Sequence, residues 1–339
     1  MTTKDRDFGY DIIRFFSTIV IVSFHYSMQL YQIEYSGMKN YLGSFKNGGF
    51  GIFAVALFFC LSGATLIKNN REISVGGFYK KRFESIYPLF WINYIPLFLI
   101  KSIMEHKINW GGDYWKIIFS VLGIDGYIQE IIPNYYLIGE WFLGAIIIIY
   151  IIYPFHLFCY KKSCLITTFV ITMTFIMNEL WNVFPMSETR TIPYCLFYFN
   201  LGFLFEDYKE KLLKLPFILI SLMIIFVYLY IKFSFLNNFQ AIKYTPLIFA
   251  SFLLLYSLKR ISCPECIQRL ICLISKLSYL FFLIHHVVII FFTKLLLRYI
   301  HNSAIVLFVL FLIIFITSLC IFNTYKYIKS NIINRNISQ

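Results

Sequence analysis

The stretch Phe8–Tyr31, FGYDIIRFFSTIVIVSFHYSMQLY, decides how the chain is read. It is long and apolar enough to cross a bilayer, which takes roughly 20 helical residues. It nevertheless carries Arg14 and His25, eleven residues apart. At 100° per residue, eleven steps end only about 20° from three full turns, so both side chains share one helix face. Asp11, Thr18 and Gln29 fall near the same stripe, and the other faces are Ile, Phe and Val. An ionisable group inside a span is costly and marks a functional site by default. Each residue also has a plain structural role open to it. Arg14 could snorkel to headgroups, and His25 could hydrogen-bond between helices. Placed on one stripe, they read better as the lining of a polar cavity. A histidine can act as general base near neutral pH, and an arginine is a fixed clamp for anions such as phosphate.

The rest of the chain has the same character. Its 339 residues are 59% hydrophobic and 14% charged, against about 45–50% and 25% in a soluble domain. The mean hydropathy is +0.71. The expected fold is all-α, a polytopic membrane protein with about ten transmembrane helices. The candidate spans are 10–31, 50–68, 83–103, 139–159, 164–184, 191–206, 215–235, 244–258, 273–297 and 304–325. Of these, 191–206 and 244–258 are short. The first stretch lacks a small-residue cleavage site and reads as a retained helix. One membrane domain over 1–339, with no appended soluble domain, is the expected organisation. With the N-terminus in the cytoplasm, 19 of the 30 Lys and Arg fall on the inner side and seven outside, so both termini are expected to be cytoplasmic. The net charge of +13 is then a topology signal, and nucleic acid is not needed to explain it.

Other segments add chemistry. Phe78–Pro88, FYKKRFESIYP, places Lys80, Lys81 and Arg82 together at the start of the third span. That suits a phosphorylated or nucleotide-like ligand, and it is also ordinary positive-inside composition. Ser62-Gly63 permits close helix approach or local unwinding. In LSYLFFLIHH, Leu277–His286, His285 lies near mid-membrane. His286 points about 100° away, so at most one of the two is expected to face a given cavity. Glu140 and Trp141 stand at the outer end of the fourth span; Glu140 could orient a histidine or bind acceptor hydroxyls, and Trp141 could be an interface-belt residue. Cys263 and Cys266 form a lone CxxC and read as two reduced thiols in a loop. The ionisable residues are not expected to cluster at ligand spacing, so no metal is required.

Taken in order, these segments resemble the membrane-bound acyltransferase-3 family, which O-acetylates bacterial surface polysaccharides. The resemblance rests on Asp11-Ile-Ile-Arg14 with His25, FFCLSG (Phe58–Gly63), FYKKR (Phe78–Arg82) with Ile86-Tyr87-Pro88, and Trp141-Phe142-Leu143 with Tyr153-Pro154. YFNLG (Tyr198–Gly202) and LSYLFFLIH (Leu277–His285) complete it. The family usually has a second arginine where this chain has Ser85, and many members carry a glutamate where this chain has Ala145.

The resemblance implies a ten-helix fold in a bacterial cytoplasmic membrane. Acetyl-CoA would serve as acyl-donor co-substrate from the cytoplasm, with no permanently bound cofactor. The acyl group would pass to a hydroxyl of a cell-surface or lipid-linked glycan. Arg14, His25 and His285 would be the catalytic set, with Arg14, Lys80, Lys81 and Arg82 holding the donor. Ser62, Glu140 and Trp141 are the candidates for substrate contact. A transporter or flippase of lipid-linked glycans would need a similar stripe, but it predicts internal repeats or broken helices, and neither is visible. A glycan polymerase would favour a large outer loop rich in Arg and His. The 105–134 stretch has no Arg.

Overall fold

The computed structural model describes residues 6–35, 49–72, 74–181, 184–231 and 239–337; of residues 140, 240 and 332–337 only the backbone is described. All regular structure among them is helical. Twelve α-helices follow in chain order: α1 Phe8–Gln32, α2 Gly49–Asn70, α3 Val75–Met104, α4 Ile117–Val121, α5 Asp125–Ile128 and α6 Glu140–Lys162. The second half holds α7 Cys164–Trp181, α8 Ile192–Leu212, α9 Leu215–Tyr230, α10 Gln240–Ser257, α11 Glu265–Leu297 and α12 Ser303–Ile337. Eight helices are long and apolar enough to cross a membrane, which makes this a multi-pass membrane protein. The other two of the ten expected spans form helices that do not qualify. α9 has only 16 residues. α8 has 21 but ends in the charged sequence EDYKEKL.

α1 starts where its sequence says it should. Asp7 caps it, its carboxylate accepting the Gly9 N–H at 3.2 Å, which satisfies one of the orphan donors of the first turn. The same carboxylate meets Lys68 at 3.3 Å and Lys259 at 3.1 Å and accepts from Tyr256 Oη at 2.6 Å. One residue thus fixes the start of α1 to the ends of α2 and α10, and with it the phase of everything further along α1.

α2 and α8 make the most extensive helix pair, and they do so through glycine. A Cβ on Gly63 would stand 1.9 Å from the Phe199 carbonyl oxygen, and one on Gly202 would stand 2.0 Å from that of Cys60. Each helix therefore offers a glycine to the other's backbone, the close packing that small residues allow between membrane helices. Gly63, of the Ser62-Gly63 pair, is a packing residue. The aromatic core of Tyr153, Phe199 and Phe203 closes around this contact.

The polar 105–134 stretch is not a loose loop. Its short helices fold back against α3 and α6: Tyr87 Oη donates to the Leu122 carbonyl at 2.9 Å, Tyr94 Oη to that of Tyr135 at 2.7 Å. Asn134 donates to the Asp125 carbonyl at 3.0 Å. Asp125 itself is buried, and burial pushes its carboxyl up to about 7. Cys266 lies in the first turn of α11 and is exposed, Cys263 just before it, both as free thiols.

Candidate functional site

α1 packs along α11, and this contact carries a row of polar groups at successive levels. Lowest is Asp11, almost fully buried. Its carboxylate accepts from Arg6 at 2.6 and 2.7 Å and from Ser275 Oγ at 2.6 Å. Arg14 lies 3.6 Å from it as an i,i+3 pair on α1 and donates to Ser275 Oγ at 3.0 Å. Arg6 is the closer partner. The charge of Asp11 is thereby offset by two guanidinium groups, as burial of a carboxylate requires. Arg14 keeps part of its guanidinium turned toward open space.

That space is a cavity of about 360 Å³. Arg14 (α1), Arg82 (α3) and Lys276 (α11) supply its cations, and Ser62, Thr65, Ser85, Tyr150, Ser278 and Tyr279 its neutral polar groups. No carboxylate lines it among the described residues. Three cations lining one hollow give it the electrostatics that suit an anion. Arg82 also sits 5.6 Å from the Tyr150 ring centroid and 5.8 Å from that of Phe78, which holds its stem in place.

Lys80 and Lys81, by contrast, do not line the cavity and are exposed. Successive residues of a helix fan out by 100°, and of the three adjacent cations only Arg82 lines the hollow. Lys276 replaces them there. Ser62 belongs to this lower cavity as well, away from the level of His25.

A second cavity, of about 270 Å³, lies above. His25 lines it with Trp141, Tyr194, Ser187, Thr189 and Arg190. Arg190 pairs with Glu130 and rests 5.8 Å from the Trp141 ring centroid, so two connecting segments meet at this level. Glu140 opens α6, and its side chain lies outside the described residues. Phe58, Phe142 and Phe282 line both cavities. Phe142 is 5.9 Å from Phe58 and 5.2 Å from Phe282, centroid to centroid, so the three rings form an apolar collar between the two hollows. Arg14 and His25 stand on opposite sides of that collar, about 16 Å apart along α1 at 1.5 Å per residue.

Neither His285 nor His286 lines either cavity, within the expectation that at most one of them would, yet both rings lie against His25. His25 Nδ1 and His286 Nε2 share a hydrogen bond at 2.8 Å, with ring centroids 4.2 Å apart. His285 is also close, its ring centroid 5.1 Å from that of His25. Two neighbours on one helix can both reach a third side chain when that side chain bisects their 100° angle, and His25 does so. His285 is fully buried, lines neither cavity, and its Nδ1 lies 3.0 and 2.9 Å from the Phe281 and Phe282 carbonyl oxygens. Those contacts require a proton on Nδ1.

The expectation that no cluster reaches ligand spacing is corrected. Ligand atoms of His25, His285 and His286 lie within 4.8 Å of one another. The donor set would suit zinc or another imidazole-binding ion. However, two nitrogens on one tetrahedral zinc, each about 2.0–2.1 Å from it, stand about 3.3 Å apart. At 2.8 Å, His25 and His286 have hydrogen-bond geometry.

The fold and site together describe a membrane protein with a cation-lined cavity at one level and a histidine-lined cavity at the next. An acyltransferase domain model, acyltransferase-3, matches residues 7–323. The chain belongs to the membrane-bound acyltransferase-3 family and is a membrane acyltransferase. No curated protein and no solved structure matches it.

Proposed function

We propose that the protein carries an acyl group, acetyl by the family's habit, from cytoplasmic acetyl-CoA to a hydroxyl of a cell-surface or lipid-linked glycan. The observation that carries this reading is the pair of cavities meeting at one phenyl collar, with Arg14 below and His25 above on a single helix stripe. A donor with an anionic head and a long, mostly neutral arm fits that arrangement. Its phosphates dock on Arg14, Arg82 and Lys276. Its pantetheine arm passes between Phe58, Phe142 and Phe282. Its thioester then reaches His25 in the upper cavity, where Trp141 offers a flat apolar face to a sugar ring.

The chemistry is general-base catalysis. His25 takes the proton of the acceptor hydroxyl as its oxygen attacks the thioester carbonyl carbon. The carbon–sulfur bond breaks, and the thiolate leaves with the proton held by His25. The Lys and Arg distribution places both termini and the Arg14 cavity on the cytoplasmic side, and the upper cavity toward the outside of the membrane. A bacterial cytoplasmic membrane is the setting the family implies. The test is release of free CoA thiol by the purified protein in lipid vesicles given acetyl-CoA and an oligosaccharide acceptor. Release is expected with the native protein. Its absence, with acetyl-CoA bound normally, would sink the reading and leave transport of lipid-linked glycans to account for the cavities.

A further inference from the structure

The hydrogen bond between His25 and His286 joins the residue that lines the upper cavity to one that does not. A shared N–H···N bond holds one proton, so one ring donates and the other accepts. If the proton sits on Nδ1 of His25, the lone pair sits on Nε2, at the opposite edge of the ring. A histidine base needs this: a third group that fixes its tautomer and rotation and steadies the imidazolium once it forms. Asp11, on the same helix, does not do so, because it lies fourteen residues before His25, about 21 Å down the helix. His285 directs its own Nδ1 proton to backbone carbonyl oxygens of its helix.

We propose that His286 is the positioning residue of His25: its Nε2 accepts the Nδ1–H of His25 and so presents Nε2 of His25 as the base. The proposal rests on the acyltransferase reading for its catalytic meaning, while its structural half stands by itself. In the transfer step His25 becomes doubly protonated. The new proton on Nε2 comes from the acceptor hydroxyl, the Nδ1 proton stays directed at His286, and the Nε2 proton goes on to the departing thiolate. A neutral imidazole acceptor stabilises that cation without placing a fixed negative charge in the membrane interior, where one would be costly.

The test begins with NMR of the full-length protein in lipid nanodiscs, with ¹⁵N in the histidine rings. The expected spectrum shows His25 protonated at Nδ1 with a scalar coupling across the bond to His286 Nε2. A His25 ring protonated at Nε2 overturns the proposal, whatever the activity. So does stoichiometric zinc that copurifies with the native protein and is lost in His286→Ala, because metal ligation would then replace the hydrogen bond. Kinetics supply the second arm. His286→Ala is expected to lower kcat by about 10²-fold with KM for acetyl-CoA unchanged, and to scatter His25 over both tautomers. His286→Gln, whose carbonyl oxygen can accept the same N–H, is expected to recover part of kcat and the Nδ1 tautomer. Unchanged kcat in His286→Ala, with the native tautomer retained, would overturn the assignment. A protein with the expected tautomer but no acyl transfer would refute the function and leave the histidine pair intact.

Discussion

Two helix pairs run through the core and are held together by opposite means. α2 and α8 meet through Gly63 and Gly202, backbone against backbone, with apolar rings closing around them. α1 and α11 meet through Asp11, Arg14 and Ser275 below and His25 and His286 above. The first pair gains its stability from packing and leaves no room. The second keeps polar side chains that packing alone would replace, and it borders both cavities. The contrast separates what holds the protein from what it uses. Conserving volume is the rule at one contact, and conserving chemistry is the rule at the other.

The sharpest way to break the comparison is at the glycine pair. Gly202→Val should cost more than about 3 kcal/mol, beyond ordinary overpacking, because the added carbon meets the Cys60 carbonyl and no flexible side chain can yield. Loss of monodisperse protein on size exclusion would show it. A well-behaved Gly202→Val protein would mean that the α2–α8 contact is less tight than drawn.

Next comes the lower half of the polar pair. Arg14→Ala should raise KM for acetyl-CoA by about 10- to 100-fold, the worth of a hydrogen bond to a charged group at about 1.5–3 kcal/mol. The double variant Lys80→Ala with Lys81→Ala should leave KM unchanged, because both side chains lie outside the cavity. Equal effects of the two changes would move the donor site out to the exposed lysines.

How much of this the chain disclosed follows from what helix periodicity can and cannot carry. Arg14 and His25 were legible because their spacing fixes a common face without any partner. Gly63 was legible as a candidate for close approach, though not the backbone it meets. His286 was not, because a 100° offset says how two neighbours diverge and nothing about a third residue placed between them. The sequence around Lys276 shows only an orientation charge, and it does not say which of Lys80, Lys81 and Arg82 faces the cavity, because adjacency in sequence is not adjacency on a helix face. Of the ten candidate spans, eight correspond to helices long and apolar enough to cross among the described residues, while α8 is charge-ended and α9 has 16 residues.

A smaller effect is expected away from both pairs. Asp125, between α3 and α6, has its carboxyl raised by burial to about 7 from 3.8. A carboxyl whose folded value lies above its unfolded value binds more protons when folded. Its contribution is therefore full below about pH 4 and is lost as pH rises toward about 7, by up to about 4 kcal/mol. Asp125→Asn should flatten the fall of Tm across that window and raise Tm at pH 8. An unchanged pH profile would show that the carboxyl ionises without penalty. Smallest of all, Cys263→Ser with Cys266→Ser should be silent in activity and stability, and a loss of activity would give the pair a metal or redox role.

The account's central claim is that His25 is where the acyl group changes hands. The most direct measurement is NMR of the purified cell-surface glycan from cells carrying the native protein or His25→Ala, matched for membrane expression. The account predicts O-acetyl signals with the native protein and none with His25→Ala. A glycan equally acetylated by both would contradict it.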